Sequence, residues 1–209
     1  MKRILLFITT ITITSVCHAQ FLNILNLRYG AELGMGITTL NQVKTQTATS
    51  QNSQAVAGKT SISLGLVAEK GFSDHFGLHT GLLYAQKGSK ANTINYLEIP
   101  VNIVYFRGEG HGLFMNLGPY IGYAIGGSGV NIGKATDTSS LTSNWGIKSI
   151  DYGVQFGLGI ATRSGWYFKG SFELGIPDLN YKETSVKINN GAIMFTIGWL
   201  FGGESMYEM

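Results

Sequence analysis

The 209-residue chain has one cysteine, three prolines and few charges. Beyond its first residues it has no long hydrophobic run. Each shortage excludes something. The lone cysteine, Cys17, lies in an N-terminal leader. A mature chain without it has no disulfide, thiolate nucleophile or cysteine-based metal site. Charged residues make up 13%, where a soluble domain usually has about a quarter. The net charge is only +3 and no basic run is present, so nucleic-acid binding has no electrostatic footing. A spanning helix needs about 20 apolar residues, which leaves strands as the means of crossing a membrane.

The leader has the parts of a secretory signal peptide. Lys2 and Arg3 supply the positive start, Ile4 to Val16 a short apolar segment, and Cys17-His18-Ala19 the small residues a signal peptidase reads. Cleavage is expected after Ala19. A lipoprotein signal does not fit, because Thr14, Ser15 and Val16 stand where a leucine-like residue and a small residue belong. The expected organisation is a signal peptide at 1–19, a lead-in at 20–27, one barrel at 28–201 and a short tail at 202–209.

What is present is alternation. Ile150, Tyr152, Val154, Phe156, Leu158 and Ile160 alternate with Asp151, Gly153, Gln155, Gly157, Gly159 and Ala161. Strict period two marks a strand whose faces meet different surroundings. Eight such stretches occur, near residues 28–38, 59–72, 76–87, 94–105, 113–125, 150–161, 166–176 and 193–201. With no helices to cover an oily sheet face, the pattern predicts an all-β fold: an eight-stranded antiparallel transmembrane barrel, oily outside and polar inside. Long and short connections alternate, as in outer-membrane barrels. The short ones fall at Ser73-Asp74-His75, Arg107 to Gly110 and Thr162 to Gly165. Phe72, Phe76, Tyr105, Trp166 and Phe201 fall near the short-turn end, Tyr84 and Tyr123 near the other, where interfacial girdles belong. Lys70, an outward charge beside the first short turn, can snorkel.

A barrel of this size is filled by its own side chains. Inward-phase glycines relieve crowding, and Tyr96, Phe106, Phe114, Tyr120 and Tyr167 fill the remaining space. Pro100 and Pro119 interrupt neighbouring strands, and a shared bulge is expected there. The long polar segments read as solvated loops, including 126–148, with ligand or protein binding as the alternative.

The inward phase also holds Arg28, Glu32, Glu69, His79, Lys87, Glu98, Asp151, Lys169 and Glu173. These are expected to form a self-neutralising network, centred on Glu98, Glu173 and Lys169. The functional alternative is a polar site or proton path. His79 with a serine is a candidate base for lipid deacylation or acyl transfer, although such sites face lipid and His79 points inward. No His or acidic spacing marks a metal site, and the glycine clusters near 126–129 and 157–159 lack the strand-to-helix context of a phosphate cradle. No cofactor is expected.

Tyr96-Leu97-Glu98-Ile99-Pro100-Val101, Gly118-Pro119-Tyr120-Ile121-Gly122 and Asp151-Tyr152-Gly153 resemble the outer-membrane β-barrel family common in Bacteroidetes, labelled porin-family or PorT-like. The resemblance runs from about Arg28 to Phe201. It implies an eight-stranded barrel in the Gram-negative outer membrane, in the OmpX/OmpA style, with no shared catalytic residues. One member type assists a protein-secretion machine. Thr196 to Phe201 looks like the final-strand signal read by barrel-assembly machinery, with eight residues following it. The expected partners are outer-membrane lipid, that machinery during biogenesis, and an unidentified envelope protein. The expected role is a non-enzymatic structural or interaction module working through external loops. An accessory secretion subunit, a lipid-modifying enzyme and a small-solute channel are the alternatives.

Overall fold

Alternating side chains stay on their own sides of a sheet only if the sheet has two different solvents. A computed structural model of the protein, describing residues 27–46, 50–55, 58–108, 111–134, 145–181 and 186–202, shows how the chain arranges this. The strands are β1 (Arg28–Gln46), β2 (Ser50–Ala55), β3 (Lys59–Gly71), β4 (Phe76–Gly88), β5 (Thr93–Phe106), β6 (Gly112–Ser128), β7 (Val130–Ile132), β8 (Trp145–Ile147), β9 (Ile150–Ala161), β10 (Trp166–Gly175) and β11 (Val186–Phe201).

Among the described residues, eight strands pair antiparallel in the order β1, β3, β4, β5, β6, β9, β10, β11. The ring closes because β11 also pairs with β1, from Tyr29↔Phe201 to Lys44↔Val186. Closure removes every sheet edge from the spanning wall. The expected outward residues are exposed along each strand: Leu66 is 71% and Phe195 72% exposed, whereas their inward neighbours Val67 and Met194 are 3% and 5% exposed. A continuous apolar outer wall of this kind requires hydrocarbon around it.

The first and third short turns form as expected, and the second, Arg107 to Gly110, lies partly outside the described residues. In the third, Thr162 N–H donates to the Trp166 carbonyl and Gly165 adopts φ +90°, a conformation that only glycine takes without strain. Aromatic rings gather at this end: Tyr29 on Phe201, Phe201 on Trp199, Trp199 on Trp166, and Phe76 on Tyr105. At the opposite end Tyr84 and Tyr123 both pair across to Leu97.

Three expectations need correction. The prolines make no shared bulge. The β4–β5 ladder passes from Thr80↔Val101 to Leu83↔Glu98 with the register kept across Pro100. The Thr80 hydroxyl donates to the Pro100 carbonyl at 2.7 Å, which ties that carbonyl to the neighbouring strand. The β5–β6 ladder likewise resumes in register from Pro100↔Tyr120 to Ile103↔Leu117. The register shifts instead at Asn95/Tyr96, where Ile125 is the extra residue of β6.

The polar stretch after the first strand is not simply a loop. β1 continues to Gln46 and β2 folds back on it, from Asn41↔Ala55 to Gln46↔Ser50. At ~3.3 Å per residue β1 runs about 60 Å, well beyond a hydrocarbon core of about 30 Å. The 126–148 segment, expected as solvated loop, carries the parallel ribbon β7–β8. Its Trp145 and Ile147 are fully buried.

Candidate functional site

Inward phase puts the predicted polar residues in the lumen, and their heights along the strands decide which of them meet. Near the short-turn end, Glu32 and Glu69 are the anions. Arg28 Nη1 lies 3.5 Å from Glu69. The His79 ring bridges both carboxylates, with Nδ1 3.4 Å from Glu69 and Nε2 3.8 Å from Glu32. Glu32 also takes Lys169 Nζ at 3.5 Å and the Tyr167 hydroxyl at 2.6 Å. Phe106, Phe114, Val104 and Leu200 pack beside this cluster as an apolar floor. A small cavity of about 20 Å³, room for about one water, lies between the floor and the polar groups, bordered by Arg28, His79, Asn116 and Lys169.

Higher in the lumen, one cation holds two carboxylates. Lys87 Nζ lies 2.5 Å from Glu98 and 2.9 Å from Glu173, and 3.8 Å from the centre of the Tyr120 ring. An amide relay reaches it from the side: Asn102 donates to Gln155 at 2.6 Å, and Gln155 donates to Glu173 at 2.7 Å. Above Lys87, Asp151 accepts from Asn190 at 2.8 Å and from the Tyr120 hydroxyl at 3.3 Å. The Tyr96 hydroxyl accepts from the same Asn190 amide at 3.2 Å. Buried charge is tolerable only when paired and hydrogen-bonded in this way.

The polar column ends under an apolar cap. Leu40, Ile94, Tyr96, Ala124, Trp145, Ile147, Leu179 and Ile188 form one buried cluster across the long-loop mouth. Loop-to-loop bonds lock it: Trp145 Nε1 donates to Asn180 at 2.8 Å, Lys148 N–H to the Leu179 carbonyl, and Tyr181 N–H to the Gly146 carbonyl.

The structure therefore brings eight of the nine predicted polar residues into two ion-pair groups, with Asp151 joined by hydrogen bonds alone. The predicted centre is corrected. Glu98 and Glu173 do meet, but their cation is Lys87, and Lys169 serves Glu32. Lys169 and Glu173 sit four residues apart on β10, about 13 Å along a strand, too far to share one centre. Among the family-motif residues, Tyr96, Glu98, Pro100 and Tyr120 point inward, while Leu97, Ile99 and Pro119 are exposed and Gly118 is half-buried. Asn102, Asn116, Gln155 and Asn190 were missed. They stand in the inward phase, and a count of amides as well as charges finds them. Nothing periodic announces Trp145, Ile147 or Leu179.

His79 faces two carboxylates inside the wall and has no serine among its bonded partners, so the geometry of a lipid-facing hydrolase is not met at this residue. Among the described residues no group of three or more His, Cys, Asp or Glu side chains forms a metal cage.

No curated protein matches this sequence. Similar solved structures include the attachment invasion locus protein Ail of Yersinia pestis, in complex with the heparin analogue sucrose octasulfate. It is 13% identical, with 83% of this chain and 99% of that chain covered and a TM-score of 0.44. Neisserial surface protein A is also 13% identical, with 82% and 97% covered and a TM-score of 0.45. The N-terminal β-barrel domain of Pseudomonas aeruginosa OprF is 11% identical, with 80% and 97% covered and a TM-score of 0.40. The model of the outer membrane protein β-barrel domain family matches residues 18–181, the closed wall presents apolar side chains to its surroundings, and the chain accordingly belongs to that family as an integral protein of the Gram-negative outer membrane.

Proposed function

We propose that the chain, released from a signal peptide at 1–19, works as a non-enzymatic barrel that acts as a structural or interaction module through its long-loop end. One observation carries this reading. The lumen is filled by paired polar side chains and capped by Trp145, Ile147 and Leu179, whereas the extra structure of the chain, the β1–β2 hairpin and the β7–β8 ribbon, rises at that same end. A filled and capped lumen disfavours a solute channel. An inward His79 disfavours a lipid-modifying enzyme. Crosslinking in intact cells from positions within 126–148 tests the reading. A discrete crosslinked species supports it. No species other than lipid, together with a large stable conductance in planar bilayers, overturns it.

A second reading has one specific support. Leu97-Glu98-Ile99-Pro100 followed by Gly118-Pro119-Tyr120 resembles the PorT-like barrels of Bacteroidetes, which points to an accessory subunit of a secretion or envelope complex. Purification from native membranes in mild detergent separates the two. A stoichiometric protein partner favours the accessory subunit, and a lone barrel favours the first reading.

A further inference from the structure

The long-loop end of this barrel is basic. Residues 39–59, 88–93, 126–149 and 176–190 together hold seven lysines and three acids. The one of those acids among the described residues, Asp178, is engaged by its own loop, where Oδ1 accepts from the Asn180 and Ile188 N–H groups. That end therefore presents cations to whatever lies beside it.

One of these lysines is held in place. Lys59 Nζ donates to Gln86 Oε1 at 2.7 Å and to Thr93 Oγ1 at 3.0 Å. Gln86 Nε2 in turn donates to Asn95 Oδ1 at 3.3 Å. The holders are neutral. Among the described residues no carboxylate comes within ion-pair distance of this ammonium, and two of its three donors are used. Every cation inside the lumen has a carboxylate, and this one has none.

Its height is informative. Gln86 and Asn95 face each other across the β4–β5 ladder, two residues beyond the facing pair Tyr84 and Leu97. Alternate residues share a face, so Gln86, Thr93 and Asn95 continue the outward phase, and the ammonium bonded to them lies on that side of the wall. Two residues at ~3.3 Å on a strand tilted by about 40° put the group about 5 Å beyond Tyr84. Girdle rings mark the edge of the hydrocarbon, which makes this the level of lipid headgroups. Beside Asn95 the flank is open: a Cβ on Gly126 would meet nothing nearer than the Asn95 amide nitrogen at 3.8 Å. Lys90 stands exposed in the turn that joins β4 to β5, above the same two strands.

We propose that Lys59, with Lys90 above it, binds a sugar phosphate of the lipopolysaccharide that forms the external leaflet around the barrel. Lysine binds phosphate as a compact point charge, and the phosphate supplies the anion that Lys59 lacks. The acyl chains of the same molecule then lie along the apolar face below, where Leu97 and Ile99 are exposed on β5. A free phosphate ion has no such second anchorage, which commits the site to the lipid. The site is on the wall beneath the loops, so it stands or falls separately from their role as an interaction module.

The test uses the full mature chain refolded in detergent, with lipid A as the probe and bound lipid counted by native mass spectrometry during a titration. The wild type is expected to bind diphosphoryl lipid A about tenfold or more tighter than the same lipid with its phosphates removed, the worth of a hydrogen bond to a charged group. Lys59→Gln loses that preference and Lys59→Arg keeps it. Lys187→Gln, which removes an exposed lysine on β11, leaves it unchanged. Gly126→Glu sets a like charge in the open flank and abolishes the preference, which gives a second reading should Lys59→Gln fail to fold on unboiled gels. No preference in the wild type, an unchanged preference in folded Lys59→Gln or Gly126→Glu, or an equal loss in Lys187→Gln overturns the proposal. Displacement of the lipid by an equal concentration of inorganic phosphate also overturns it, because the site would then belong to a free anion.

Discussion

Lys87 Nζ sits 2.5 Å from Glu98 Oε2, and both side chains are almost wholly withdrawn from solvent. The same ammonium reaches Glu173 at 2.9 Å, so one cation bridges carboxylates from β5 and β10 on opposite parts of the wall. Lys87→Met removes that cation and leaves both acids buried. Breaking a buried pair from one side costs about 3–5 kcal/mol, and the unfolding free energy of the refolded barrel, from urea titration, is expected to fall by that much. Adding Glu98→Gln to Lys87→Met removes one stranded charge and recovers part of the loss.

Tyr167 lies over Gly198 on the neighbouring strand, where a Cβ would overlap its phenol ring. That placement lets its hydroxyl reach Glu32 at 2.6 Å. Gly198→Ala is expected to push the ring aside, break this bond and cost about 1–3 kcal/mol, the usual range for overpacking. In a Tyr167→Leu background the same alanine is expected to cost much less. Such non-additivity is the sign of direct contact, and a double-mutant cycle of unfolding midpoints measures it. Equal costs in both backgrounds would place the ring elsewhere.

The wall was legible in the sequence because lipid and lumen impose opposite demands on adjacent residues. Ile150 to Ala161 therefore writes its own strand. The same phase put His79, Lys87 and Glu98 inside, but phase carries no height, and height decides pairing. Glu173 stands level with Gln155, and Lys169 with Gly159 and Thr196, which sends Lys169 to Glu32. The cap was illegible for a different reason. Trp145 and Ile147 belong to a three-residue strand, too short to show a period, and their burial depends on Leu179 arriving from another loop. The two prolines read as damage to the wall because each removes a ladder N–H, yet the register holds across both, with the Pro100 carbonyl still accepting from the Thr80 hydroxyl.

Trp145→Ala tests whether the cap is a separate unit. Removing a buried tryptophan costs about 3–5 kcal/mol. Here the loss falls on the loops, because none of the barrel ladders includes this residue. Faster amide exchange is expected at Lys148 and Tyr181, whose N–H groups bridge the two loops, with exchange at Val154 in the spanning wall unchanged. Local opening without global loss is the behaviour of an independent cooperative unit. Equal acceleration at Val154 would make the cap part of the barrel itself.

The outer wall makes the sharpest prediction, because hydrocarbon penalises charge by depth. Phe201 lies in the ring cluster at the short-turn end, packed on Tyr29 and Trp199. Phe195 is on the same face of the same strand, and its side chain is 72% exposed. Six residues of ~3.3 Å on a strand tilted by about 40° raise Phe195 about 15 Å above Phe201, near the middle of an apolar band about 25 Å tall. Phe195→Arg is therefore expected to cost about 2–4 kcal/mol and Phe201→Arg about 0–1 kcal/mol, measured by reversible denaturant unfolding in lipid vesicles. In water the two exposed positions would differ little. A depth-independent cost would mean that the solvent of this wall is not hydrocarbon, and the membrane-spanning assignment would fail with it.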